Sequence, residues 1–158
     1  MYKRQAIDYE IFKKIKYDNK FPTPFNYNFM NVNKIFEMKP DDYPEISDLL
    51  IKIQEWDKAT DVNSLGAGTY AMFYYTLADE YFYKSYYDRN FSKSLIEDCL
   101  KEVKRRMLKH FKTTDVRLGD FQKLVRGNKE IPIFGMPDVI TAMTVSYTHL
   151  RAHETKAN

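Results

Sequence analysis

The chain has 158 residues, 25 basic against 22 acidic side chains, 44% hydrophobic and 16% aromatic, which is too apolar for a disordered segment and long enough for one domain with a modest core. One cysteine, Cys99, excludes an internal disulfide, and no run reaches the ~18 apolar residues of a membrane span. Thirteen tyrosines against one tryptophan predict many half-buried positions where a ring packs and its hydroxyl reaches water.

At the start, Met1-Tyr2-Lys3-Arg4-Gln5 resembles one frame through a transposon-type sequencing adapter, GTG TAT AAG AGA CAG. Val145 to Thr155 resembles the reverse complement of the same adapter with its extension, which would make Lys156-Ala157-Asn158 index sequence. Residues 1–5 and 145–158 are therefore expected to be adapter-derived and to stand outside fold reasoning, leaving 6–144 as the biological stretch. Setting aside Lys3, Arg4, Arg151, Lys156 and Glu154 brings 25 basic and 22 acidic residues to 21 and 21. No basic surface remains to argue for nucleic acid. His149 and His153, whose spacing imitates a helical metal pair, fall in the same tail. His110 is left alone at the end of a helical pattern, where it serves as a C-terminal cation rather than a ligand.

Residues 6–43 read as an arm. Ile11, Phe12 and Ile15 mark a short helix or turn over 9–16, and Phe21-Pro22-Thr23-Pro24-Phe25 enforces an extended path. Asn26 to Asn33 alternates asparagine with Tyr27, Phe29, Met30 and Val32, which suits an irregular loop. Such an arm packs over a neighbouring domain or wraps its own helices.

Residues 44–112 read as helices. The first is expected to begin at Asp41-Asp42-Tyr43-Pro44 and to bury Ile46, Leu49, Leu50, Ile53 and Trp56, which recur at helical spacing. Asp61-Val62-Asn63-Ser64 supplies capping oxygens for the second. Gly66, Ala67 and Gly68 thin its first turns; since glycine costs a helix about 1 kcal/mol against alanine, two of them predict a close backbone neighbour. Tyr70, Phe73, Tyr74, Leu77 and Tyr81 continue it as a core stripe, Tyr83, Tyr86 and Tyr87 extend the aromatic run, and Asp88-Arg89-Asn90 ends it. A capping box of Ser94 with Glu97 opens the third, with Ile96, Cys99, Leu100, Val103, Met107 and Phe111 buried. Cys99 is thereby expected to be a small buried hydrophobe, and Lys101, Lys104, Arg105, Arg106 and Lys109 a solvated face.

Residues 118–143 read as strands and turns. Leu118, Phe121, Leu124 and Val125 suggest a strand ending at Arg126-Gly127-Asn128, and Glu130 to Phe134 a second after a hairpin turn. Pro132 marks that second strand as an edge or bulge. Gly135-Met136-Pro137-Asp138 forms another turn, from which a short helix could run through Val139, Ile140 and Met143.

Trp56-Asp57, the Asp61, Ser64, Gly66, Ala67 pattern, and Gly119, Gln122, Arg126, Gly127, Pro132, Gly135, Pro137 and Asp138 together resemble the penicillin acylase family. The matching segments lie in the later part of that family's large catalytic chain. The resemblance implies an α+β fold: a mostly helical fragment with a two-stranded piece of the αββα sandwich of N-terminal-nucleophile hydrolases. It also implies a parent enzyme that cleaves an amide bond of a small N-acylated substrate such as a β-lactam side chain or an acyl-homoserine lactone. Export to the periplasm or beyond is implied too, as is assembly with the rest of the chain's own processed precursor.

In that family an N-terminal serine is activated by its own α-amino group, which titrates near neutrality at about pKa 7.7–8.0. An asparagine and a backbone N–H hold the oxyanion. None of these maps onto a residue here, so the segment is expected to carry no catalytic residue and to be inactive alone. Ser64 reads as a cap, not a nucleophile. No cofactor is expected, and the family's structural calcium has no ligands that can be placed on this sequence. Trp56, Asp57, Asp61, Ser64, Gly66, Gln122, Arg126, Gly127, Pro132, Pro137 and Asp138 are expected to be scaffold. For Arg126 the expectation is a bidentate clamp on Asp57 or Asp61; lining the substrate cleft is the alternative.

A rival reading is a non-catalytic, tyrosine-rich helical module that binds glycans by stacking. It requires several coplanar exposed rings, whereas the acylase reading requires Tyr70, Phe73 and Tyr74 to be mostly buried.

Overall fold

A computed structural model of the chain describes residues 8–21, 32–81 and 91–136, apart from the side chains of Glu80 and Tyr81. The adapter-like ends, Asn26 to Met30, Tyr83 to Asn90 and the turn and helix expected from Pro137 lie outside these residues. The described part is mostly helical with one antiparallel hairpin.

α1 (Tyr9–Lys16) forms where expected, and Asp8 caps it by accepting from the Ile11 N–H at 2.8 Å. None of its residues is buried. The chain then returns to the body through Asn19 and Phe21, whose backbones bond to Thr60 and Lys58.

The next helix starts later than its acidic lead-in suggests. Pro40–Asp42 is a single 3₁₀ turn, and Tyr43 sits at φ −133°, ψ 64°. A residue before proline is pushed out of the helical region, so the 3₁₀ turn cannot run on through Tyr43; a separate turn at 44–46, in which Ile46 N–H donates to the Tyr43 carbonyl at 3.1 Å, comes before α2, which runs from Ser47 to Gln54. The stripe is unaffected: Ile46, Leu49, Leu50, Ile53 and Trp56 are all buried.

α3 (Leu65–Tyr81) and α4 (Lys93–Phe111) pack with α2 to form the core. Tyr70, Phe73 and Leu77 from α3 meet Ile96, Cys99, Leu100, Val103 and Met107 from α4 in one buried cluster; Phe111 is only partly buried at its margin. Ser92, not Ser94, caps α4, its Oγ accepting from the Leu95 N–H at 3.2 Å. The earlier start places Phe91 before the cap and Ile96 four residues into the helix, both buried, as in a hydrophobic staple. Lys112, in the left-handed conformation at φ 62°, closes the helix.

Leu118–Phe121 is a one-turn helix, α5, instead of the start of a strand. Asp120 accepts from the Arg117 N–H at 2.8 Å and fixes the turn. β1 (Lys123–Arg126) and β2 (Lys129–Pro132) follow as an antiparallel pair in the register Lys123 with Pro132 and Arg126 with Lys129. The hairpin is as expected. β2 is shorter than expected because the Gln122 side chain takes the carbonyls beyond it.

Candidate functional site

The motif residues sit where α2, α3, α5 and the hairpin meet. At the end of α2 the Trp56 ring lies 5.1 Å from Tyr70 and edge-on to Phe21 at 5.7 Å, and its Nε1 donates to the Ala59 carbonyl at 2.7 Å. Asp57 turns the chain by accepting from the Ala59 N–H at 2.9 Å and pairs with Lys20 at 3.1 Å. The Ala59 bond, opposed by burial and helped by Lys20, holds this carboxyl below its ordinary range. Lys58 folds back at φ 67°. Its ammonium donates to the Trp56 and Ile53 carbonyls at 3.0 and 3.3 Å and lies 4.2 Å from the Phe36 ring centre. Burial pulls its pKa down against the pull of Asp57.

Asp61 accepts from the Asn63 N–H at 2.8 Å, and the Ser64 Oγ accepts from the Ala67 N–H at 3.0 Å. Ser64 is the cap that the sequence predicts. Gly66 then slides under Trp56: a Cβ on it would fall 2.4 Å from the Trp56 Cβ and 2.7 Å from the Lys52 carbonyl oxygen. Gly68 makes the same approach to the chain at Val116, whose carbonyl oxygen lies 2.3 Å from where a Cβ would stand.

The later segment locks onto this start. Leu118 N–H donates to the Ser64 carbonyl at 3.2 Å, Gly119 N–H to the Val62 carbonyl at 2.8 Å and Gly135 N–H to the Thr60 carbonyl at 3.3 Å. A Cβ on Gly119 would lie 3.0 Å from both the Val62 oxygen and the Pro132 Cβ. Gln122 Nε2 donates to the Ile133 and Gly135 carbonyls at 2.9 and 2.8 Å. Gly127 makes the hairpin turn at φ 57°. Trp56, Asp57, Asp61, Ser64, Gly66, Gln122 and Pro132 thus belong to one joint, and Pro137 and Asp138 lie outside the described residues.

Arg126 does not take the clamp expected of it. It is exposed in β1, and the carboxylates proposed for it are engaged elsewhere, Asp57 by Lys20 and Asp61 by its own turn. The hairpin carries Arg126 away from the joint on a strand that is exposed along its whole length.

Two anchors escaped the sequence reading. Lys52 reaches Thr114 O at 2.7 Å and Asp115 at 2.8 Å, and Gln54 Nε2 bonds the Ile35 and Met38 carbonyls at 2.9 and 2.7 Å. Their partners stand far off in sequence and are mostly backbone carbonyls, which carry no residue-type signal.

The joint has no hydroxyl poised beside a base. Among the described residues no group of three or more His, Cys, Asp or Glu side chains could hold a metal ion, and no helix is long and apolar enough to cross a membrane. Tyr70 and Phe73 are fully buried and Tyr74 is 9% exposed, so these rings are core and offer no stacking surface. No family model matches the chain, and no curated protein or solved structure gives a significant match.

Proposed function

We propose that this chain is part of the catalytic chain of an N-terminal-nucleophile amidohydrolase similar to the penicillin acylases, in which it serves as scaffold. The observation that carries this reading is the joint. The WD step, the serine-capped glycine helix and the hairpin segment, recognised as separate sequence patterns, pack against one another through Gly66, Gly68 and Gly119. A pattern shared by resemblance has a physical reason to be shared when its members touch.

In the parent enzyme the hairpin belongs to the central sandwich and the helices cover it. The nucleophile, its α-amine and the oxyanion donors come from other parts of the precursor. The substrate is a small N-acylated amide, and the enzyme works in the periplasm or outside the cell. Ser64 takes no part in catalysis in this reading: it caps α3 from within the chain, its Oγ accepting from the Ala67 N–H, and so lacks the free α-amino group that activates a serine in that family.

Expression of the complete reading frame that contains 6–144 tests the reading. It predicts cleavage of the precursor into two chains, with serine, threonine or cysteine at the newly exposed N-terminus, and hydrolysis of short- or long-chain N-acyl amides by the processed protein. The 158-residue chain alone should hydrolyse none of them. A complete frame that stays uncleaved and contains no such residue at a processing site would overturn it.

A further inference from the structure

Of the described arm residues 8–21, Phe21 alone is buried and Asn19 is half-buried. α1 and the turn after it stay exposed, so the arm's buried fastening is its last three residues. They lie along residues 58–60 as a short antiparallel strand, with Lys20 opposite Ala59. Phe21 N–H donates to the Lys58 carbonyl at 3.1 Å, and the Asn19 carbonyl accepts from the Thr60 N–H and Oγ1, each at 2.9 Å. Lys20 pairs with Asp57 at 3.1 Å, both side chains being more than half exposed. The Phe21 ring stands edge-on to Trp56 at 5.7 Å and to Tyr70 at 6.1 Å. Backbone pairing with a side chain held in a pocket is the way extended peptides are recognised by strand addition.

The receiving side is built without the arm. Trp56 Nε1 donates to the Ala59 carbonyl at 2.7 Å, Asp57 accepts from the Ala59 N–H at 2.9 Å, and the Lys58 ammonium donates to the Trp56 carbonyl at 3.0 Å. Gly135 N–H donates to the Thr60 carbonyl at 3.3 Å, and Tyr70 is set in place by α3. None of these bonds uses a residue of the arm, so the socket keeps its shape when its occupant leaves. On the arm's side, Asp18 accepts from the Lys20 N–H at 3.0 Å. That bond presets the bend into the strand and reduces the ordering that docking requires.

We infer that residues 19–21 are a releasable latch, docked in a preformed socket of residues 56–60 and Tyr70 that binds an extended Asn-Lys-Phe segment. Opening the latch frees α1, with its exposed Ile11, Phe12 and Ile15, as a unit while α2, α3 and α4 stay folded. A separate peptide of the same chemistry then takes the arm's place. This inference does not depend on the amidohydrolase reading.

Native-state hydrogen exchange on the unaltered chain tests release. The Phe21 and Thr60 amides, one from each side of the latch, should show matching protection, roughly tenfold or more below that of the slowest amides in α3 and α4. Protection equal to the core's would overturn the latch, because the arm would then leave only with global unfolding; so would protection at one of the two amides without the other. Exchange of occupants is tested on Phe21→Ala, which weakens the resident segment. Acetyl-Asp-Asn-Lys-Phe-amide is added and the fluorescence of Trp56, the one tryptophan of the chain, is followed. A saturable change is expected with half-saturation at roughly millimolar peptide, since the tethered arm competes at an effective concentration of that order. The unaltered chain should need at least about tenfold more peptide, because its own ring fills the socket. N-methylation of the peptide's phenylalanine removes the donor to Lys58 and should weaken binding by about tenfold or more. Equal responses to the phenylalanine peptide and its alanine counterpart, or no response to the former at ~10 mM, would overturn the socket. Loss of helical circular dichroism in Phe21→Ala would also overturn the proposal, since it requires the helices to stay folded without this ring.

Discussion

Gly66 shows how a residue's usual ranking reverses in context. In an exposed helix, alanine in place of glycine gains about 1 kcal/mol. Here the added methyl would meet the Trp56 Cβ, just past the end of α2, at 2.4 Å and the Lys52 carbonyl oxygen within α2 at 2.7 Å, so α3 must move away from the end of α2. Overpacking of this kind costs about 1–3 kcal/mol, and the separation would also strain the Trp56 bond to Ala59. Gly66→Ala should therefore lower the urea midpoint by an amount equivalent to a net loss of about 1–3 kcal/mol. An unchanged or raised midpoint would mean that the helices are not in contact at this point. That some close neighbour existed was legible in the paired glycines of α3. That the neighbours are α2 for Gly66 and the Val116 backbone for Gly68 was not, because a glycine reports crowding without naming its source.

At the scale of elements, helices read well, whereas the starts of α2 and α4 were misread. The stripes of α2, α3 and α4 follow from spacing, whereas α2 begins only after a separate turn at 44–46 and α4 begins at the cap that leaves Phe91 buried, each against a local capping pattern. The strand expected from Leu118 became a turn of helix because Asp120 caps it and Gly119 presses on Val62. Within α4, Arg105 and Lys109 lie on the solvated face that the sequence predicts, whereas Lys101, Lys104 and Arg106 are half-buried. Lys104 reaches Asp48 at 2.8 Å across the helix pair, and Arg105 and Arg106 both grip Glu102, at 2.6 and 2.7 Å. Their bonds, against a small burial penalty, hold the Glu102 carboxyl down at about 2 from 4.5. A carboxyl whose pKa is lower in the folded state stabilises the fold above its unfolded pKa, and that stability disappears as pH falls toward the folded value. Because the side chain is 32% exposed, its pairs are worth no more than about 1 kcal/mol. Glu102→Gln should accordingly lower Tm slightly at neutral pH, and the gap from wild type should close between 4.5 and about 2. A gap that persists unchanged to the acid end would assign the effect to packing.

Taken whole, the molecule has two tiers of stability, and they follow from where apolar surface is buried. Tyr70, Phe73, Leu100 and Met107 are sealed between α2, α3 and α4, whereas α1 buries nothing and both strands are exposed throughout. A two-stranded hairpin has little stability of its own in water, so its order depends on the joint beneath it. One such fastening is Gln122, whose amide donates to the Ile133 and Gly135 carbonyls at the point where β2 leaves the sheet. The existence of the hairpin was legible from the Arg126-Gly127-Asn128 turn, but this fastening was not, because both of its acceptors are backbone atoms. Native-state hydrogen exchange should therefore find the slowest amides in α3 and α4, near the global limit, and faster exchange in α1 and the hairpin through local opening. Gln122→Ala leaves two carbonyls without their donor at a cost of about 1–3 kcal/mol. That cost should fall on the local tier: exchange at the cross-strand amides of Leu124, Arg126, Lys129, Ile131 and Ile133 should accelerate roughly tenfold or more, while protection in α3 and α4 stays within about twofold. If α3 and α4 lost protection in step with the hairpin, the joint and the core would form a single cooperative unit, and the separation into tiers would be wrong.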